Sequence, residues 1–187
     1  MSEYADLDPV GEPVGLAVLL PGRGYTARMP LLHFTAGVVR DRGWRVRRVR
    51  WKPPQAASVD LVGDELAAAV GDHSGPVLVI GKSLGSCAAP YAARRSWPAI
   101  WLTPLLQLDP VLAGIRANQA EQLLVGGTVD TLAGWDPELT ESLPADVVEV
   151  AGADHALEIP GDAVASAAAL GDVMAAIDGW MDETRLV

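Results

Sequence analysis

The chain has 187 residues, half of them hydrophobic, with 24 acidic against 14 basic side chains and a net charge of −10. A chain of this size buries roughly 70% of its unfolded surface, enough for one unstapled core, and the composition excludes a disordered polymer. The negative balance argues against a general affinity for nucleic acid or anionic membranes, which need clustered Lys and Arg.

The single cysteine, Cys87, excludes an intrachain disulfide and fits a reducing compartment. The first residues, "MSEYADLDPVGEP", lack the apolar stretch of a secretory signal, and no apolar run approaches the roughly 20 residues that span a bilayer. The expectation is a cytoplasmic protein without a membrane partner.

Residues 1–13 read as a loose leader. "VGLAVLLPG" is an apolar strand closed by Pro and Gly. "PLLHFTAGVVRDRG" places Leu31, Leu32, Thr35, Val38 and Val39 on one helical face, with Gly43 at its end. "WRVRRVRW" is a second strand. Ser58 caps a helix that stacks Val59, Val62, Leu66 and Val70. "PVLVIG" is a third, aliphatic strand, followed by the small-residue helix "SLGSCAAPYAARRS", in which Pro90 is a blemish. Then come the strand "PAIWLTPLL", the helix "DPVLAGIRA", the strand "EQLLVGG", the short helix "DPELTESL" and the strand "DVVEVAG". A last helix over 162–184 sets Val164, Ala168, Met174, Ile177 and Met181 on one side. Strict alternation with short connections predicts a single α/β domain, a parallel sheet with helices on both faces.

"GPVLVIGKSLGS" carries two overlapping signatures. As a phosphate loop it fails: the first glycine would fall on Pro76, and residues 77–80 (Val77, Leu78, Val79, Ile80) are a strand rather than a loop whose N–H groups wrap phosphate. As G-x-S-x-G it fits without adjustment. Gly81 and Gly85 flank Ser83 where a strand turns sharply into a helix, so Ser83 points out of the sheet's C-terminal edge.

A serine hydroxyl needs a base, and the base needs an acid that fixes its tautomer. Of three histidines, His33 lies in the first helix and His73 at a helix end. His155, in "AGADHALE", follows the sixth strand in a loop at the same edge as Ser83. After the fifth strand "GGTVDTLAGWD" offers Asp130 and Asp136, and Asp130 has the better reach. Asp154 is read as orienting the loop. An oxyanion hole needs two backbone N–H groups: one from Leu84, the other from Arg23 or Gly24 in "PGRGYT".

On "LLPGRGY", "GKSLGS", "GGTVD" and "GADHALE", in that order, the chain resembles the α/β-hydrolase superfamily from Val14 onward, and in particular its small bacterial members without a cap, the serine esterases and dienelactone-hydrolase-like proteins. Dienelactone hydrolases proper use a cysteine where Ser83 stands. The resemblance implies about six strands in the order 2-1-3-4-5-6, with "WRVRRVRW" at an edge. Seven of the 14 basic residues fall within 40–52, where arginines on an edge strand block edge-to-edge pairing and meet the abundant acids. The short "TPLLQLDP" leaves no room for a lid. Lys82, in the variable elbow position, either biases the site toward acidic substrates or snorkels outward. Tyr25 and Trp135 either line a substrate pocket or pack, and Glu158 either contacts substrate or ties down the His155 loop.

The implied function is cleavage of a small carboxylic ester or thioester by Ser83, His155 and Asp130, with water releasing the acyl group. No metal and no cofactor is expected. The alternative is a non-catalytic interaction protein on the same scaffold, using its arginine-rich edge; nucleotide binding through Lys82 is the weakest reading.

Overall fold

The computed structural model describes residues 3–51, 58–184 and 186. Among them, seven strands form one sheet: β1 (Glu3–Leu7), β2 (Gly15–Leu20), β3 (Trp44–Arg50), β4 (Val77–Lys82), β5 (Ala99–Leu102), β6 (Gln122–Gly127) and β7 (Asp146–Val150). Their order is β1-β3-β2-β4-β5-β6-β7. The six strands from β2 onward are parallel and stand in the expected order.

Every residue of β2, β4 and β6 is buried, as a parallel sheet covered on both faces requires. Alternation splits each strand between two cores. Leu16, Val18 and Leu20 face α2 (Val59–Val70), α3 (Ala89–Arg95) and α4 (Asp109–Ala117). Ala17 and Leu19 face α1 (Pro30–Asp41) and α6 (Ala163–Glu183). Between β6 and β7 lies the short α5 (Pro137–Glu141). Ser58 caps α2 by accepting from the Leu61 N–H.

Four expectations are corrected. The leader is not loose: Glu3–Leu7 pairs antiparallel with β3, so the sheet has seven strands rather than six and "WRVRRVRW" lies one in from the edge. Opposite charges accompany that pairing. Asp6 stands opposite Arg47 in the register and their side chains meet at 2.7 Å, while Asp8 takes Arg45 at 2.6 Å. Such exposed pairs contribute about 0.2–1 kcal/mol each, so the backbone ladder carries most of the strand. Arg40 and Arg42 also find carboxylates, on Asp41 and on Asp178 with Asp182. The basic cluster is thus largely neutralised within the fold; Lys52, its last member, lies outside the described residues.

Pro90 is no blemish. The segment after Ser83 is a 3₁₀ turn (Ser83–Ala88), and Pro90 sits in the first turn of the separate helix α3, where its missing N–H has no intrahelical partner to lose. The buried face of α6 is Ala169, Val173, Ile177, Trp180 and Met181, while Val164 stands fully exposed. By length and composition α6 is also apolar enough to cross a bilayer, which the sequence reading denied of every segment. Here it packs on the sheet and carries Asp178 and Asp182, both paired with Arg42.

Candidate active site

Ser83 directly follows β4 with φ +50, a left-handed conformation that costs a non-glycine residue about 1–3 kcal/mol. The glycines on either side make the turn possible. A Cβ on Gly81 would lie 2.7 Å from the Trp101 ring, and one on Gly85 would lie 2.9 Å from the Leu20 carbonyl carbon and clash with its oxygen. Ser86 locks the turn from behind: its hydroxyl donates to the Ser83 carbonyl at 2.6 Å and accepts from the Leu105 N–H at 3.0 Å.

Asp130 follows β6 and His155 follows β7, and the two meet over the same sheet edge. Asp130 Oδ2 lies 2.8 Å from His155 Nδ1, and its Oδ1 accepts from the Leu132 and Ala133 N–H groups at 3.1 and 3.0 Å. The carboxylate side chain is fully buried while the imidazole keeps 24% of its exposure. A carboxylate only accepts, so the ring proton belongs on Nδ1. Nε2 is then free to accept from the Ser83 hydroxyl, 2.8 Å away. A serine in this chain can pass its proton to the imidazole, and the buried carboxylate offsets the charge that results.

Asp136 has a different task. It is the N-cap of α5, accepting from the Leu139 N–H at 2.9 Å. Asp136→Ala is expected to cost about 1 kcal/mol in urea denaturation and to leave the Asp130–His155 pair untouched, which the retained imidazole resonances would show. Asp154 braces the loop: Oδ1 accepts from the Ala156 and Glu158 N–H groups, and its own N–H donates to the Glu158 carbonyl. Glu158 thus meets this loop through its backbone. Its side chain is exposed and lines, with Tyr25, Leu31 and Leu157, a cavity of about 280 Å³.

Lys82 neither snorkels outward nor offers its charge to solvent. It is 1% exposed. Nζ donates to Thr103 Oγ1 at 3.1 Å and to the His155 carbonyl at 2.9 Å, and sits 4.5 Å from the centre of the Tyr25 ring. It therefore ties the His155 loop to the end of β5, and no phosphate loop exists around it. Tyr25 in turn accepts from the Leu31 N–H, and burial raises its phenol. Trp135 is also corrected: it is 9% exposed, packs on Gly126, and donates from Nε1 to Glu149 at 2.8 Å. Sequence reasoning gave no role to Ser86 or Thr103, which lie just outside the G-x-S-x-G pattern and just past the end of β5. Thr103, like Leu157 in the His155 loop, holds a positive φ.

Burial lowers the Lys82 ammonium to about 8, with Asp130 and then Asp154 opposing the shift. The unfolded lysine keeps its proton to about 10.5, so between those values the unfolded state binds more protons and stability rises with pH. The full span is on the order of 3 kcal/mol. Denaturation of wild type and Lys82→Met from pH 7 to 10.5 should show wild type gaining relative to the variant; a difference independent of pH would contradict the burial of the charge.

The "PGRGYT" loop follows β2. Gly22 lies against the nucleophile, since a Cβ placed on it would stand 3.1 Å from Ser83 Cβ. Gly22 and Tyr25 bridge across a tight turn with Arg23 and Gly24 at its tip, and Gly24 has φ +71. Leu84, the residue after the serine, is buried.

No protein-family model matches the sequence, and no curated protein does. Solved structures do match in fold. Est1E from Butyrivibrio proteoclasticus superposes with a TM-score of 0.76 at 15% identity, over 100% of this chain and 95% of that one. Dienelactone hydrolase from Anabaena variabilis gives 0.74 at 19%, over 98% and 92%. A lidless α/β serine hydrolase from Xanthomonas campestris gives 0.67 at 16%, over 97% and 88%. The chain has the α/β-hydrolase fold in its capless form.

Proposed function

We propose that the protein is a serine hydrolase that cleaves a carboxylic ester or thioester through an acyl-enzyme on Ser83. The observation that carries this reading is the position of His155, 2.8 Å from both Ser83 Oγ and Asp130 Oδ2. His155 Nε2 takes the serine proton as Oγ adds to the carbonyl carbon. The negative charge on the carbonyl oxygen falls to the backbone N–H of Leu84 and that of Arg23 or Gly24. His155 then protonates the leaving oxygen or sulfur, and water repeats the sequence on the acyl-enzyme. Tyr25 and Glu158 border the cavity beside His155 and are assigned to the substrate's rim.

Two further observations support the serine as nucleophile. Cys87 is fully buried and its thiol is pushed up to about 11 by that burial, which removes the competing sulfur from the chemistry. The fold neighbours include esterases and a dienelactone hydrolase, and Est1E has been solved with ferulic acid bound.

A fluorophosphonate probe should label the wild-type protein at Ser83 and leave Ser83→Ala unlabelled, read by intact mass and peptide mapping. A folded wild-type protein that stays unlabelled would overturn the reading in favour of a non-catalytic scaffold.

A further inference from the structure

A second cavity, of about 420 Å³, opens on the β3 side of Ser83. Its apolar wall includes Pro21, Ala27, Val49 and Trp51, and three arginines are among its lining residues, Arg28, Arg48 and Arg50. Gly22 belongs to this cavity and to the reactive site together, since a Cβ on it would come within 3.7 Å of Ser83 Oγ.

These three arginines differ from the rest of the basic cluster. Arg40, Arg42, Arg45 and Arg47 all hold carboxylates at 2.9 Å or less. Among the described residues Arg48 has the Ala5 carbonyl, at 3.4 Å, and no carboxylate. Arg50 reaches Glu3 only at 3.9 Å, between two exposed side chains. Arg28 has no carboxylate in ion-pair reach among the described residues. The guanidinium of Arg48 is lowered, first by burial and then by its neighbours Arg50 and Arg28. A chain with 24 acids and 14 bases has carboxylates to spare, yet three like charges converge here around an apolar hollow. Arginines beside an apolar wall are the chemistry that recognises a carboxylate or a phosphate.

The sheet order says which part of the ligand. His155 must deliver a proton to the leaving group, and it arrives from β7. The cavity lies on the opposite side, between β2 and β3. The leaving group is therefore directed toward His155 and the acyl portion toward the arginines.

We propose that this cavity is an acyl subsite for an anionic group, so that the preferred substrate is an ester or thioester whose acyl chain ends in a carboxylate or a phosphate. The assignment rests on the serine-hydrolase reading for its chemistry, but the anion site itself exists or fails independently of Ser83. The other cavity, bordered by Tyr25 and Glu158, carries a carboxylate and has no such preference.

Two measurements test it. The first compares kcat/KM for the mono-4-nitrophenyl ester of glutaric acid with that for 4-nitrophenyl butyrate. Wild type should favour the anionic ester by about tenfold at low ionic strength, with the preference shrinking as salt rises. Arg48→Gln and Arg28→Gln should each bring the ratio toward one. Arg28 is exposed and has no side-chain hydrogen bond or ion pair among the described residues, so that variant remains informative if Arg48→Gln folds poorly. The second titrates glutarate and, separately, inorganic phosphate into wild type and Arg28→Gln by calorimetry. Binding of either that weakens in the variant supports the subsite and names the anion. Absence of binding to wild type, or equal ratios and affinities in wild type and variants, overturns it. Fluorophosphonate labelling of Ser83 reports separately on the hydrolase reading.

Discussion

Asp130→Asn is expected to lower kcat on a nitrophenyl ester by about 10⁴-fold with little change in fold. An amide at this position presents either its oxygen or its nitrogen to His155. It already has two N–H donors, Leu132 and Ala133, aimed at Oδ1. Those donors hold the carboxamide oxygen, which turns the amide NH₂ toward Nδ1. The imidazole then must carry its proton on Nε2 to accept that N–H, and so loses its ability to accept from Ser83. Turnover that recovers at high pH would be consistent with this tautomer trap, because hydroxide then removes the serine proton directly. Asp136→Ala, which loses only a helix cap, should retain turnover within about a factor of two. The reverse pattern, with Asp136 essential and Asp130 dispensable, would overturn the assignment of the acid.

The second large effect concerns the turn rather than the reacting groups. Gly85→Ala should lower stability by about 3 kcal/mol or more, or abolish soluble expression, as measured by urea denaturation and yield. The added methyl meets the Leu20 backbone carbonyl in the middle of the sheet. Backbone in a central strand cannot move aside as a flexible side chain can. Leu20 also lies next to Pro21 and Gly22, so any shift that admits the methyl displaces the loop assigned to the oxyanion. Gly24→Ala has a different expectation. Its Cβ would meet nothing within 4 Å, and the cost comes only from its positive φ, about 1 kcal/mol. Equal losses for the two variants would show that crowding at Gly85 is not what requires a glycine there.

Much of the site was legible in the chain because its members fall at strand ends, and strands announce themselves. Val77–Lys82 is a run of apolar residues that ends on the elbow, and Asp130 and His155 each follow another such run. Elements of weak pattern were harder. Residues Glu3–Leu7 carry no apolar alternation, and their partners lie about forty residues or more away, in β3. Charge opposite charge, in a register that only the folded sheet sets, makes them a strand. The face of α6 was misphased for a related reason: a helix rich in alanine and with apolar residues all round gives little direction, and its docking against α1 and the sheet selects Val173, Ile177 and Trp180.

Lys82 and Trp135 show the limit most clearly. Both stand beside motif residues, and chain proximity suggested a role at the substrate. The fold turns both inward, Trp135 onto Gly126 and Lys82 onto the His155 carbonyl. By itself the sequence determined the strand–helix alternation and the identity of Ser83, Asp130 and His155 as candidates, because those depend on local periodicity and on turn chemistry; the order of the six strands was implied by the resemblance. Tertiary structure alone decided the seventh strand, the burial of Lys82 and the helix-capping contact of Asp136. It also decided which arginines find close carboxylates and which three line the cavity beside Gly22. Each of these depends on distances between segments far apart in the chain, and such distances are set only when the sheet closes its register and the helices dock.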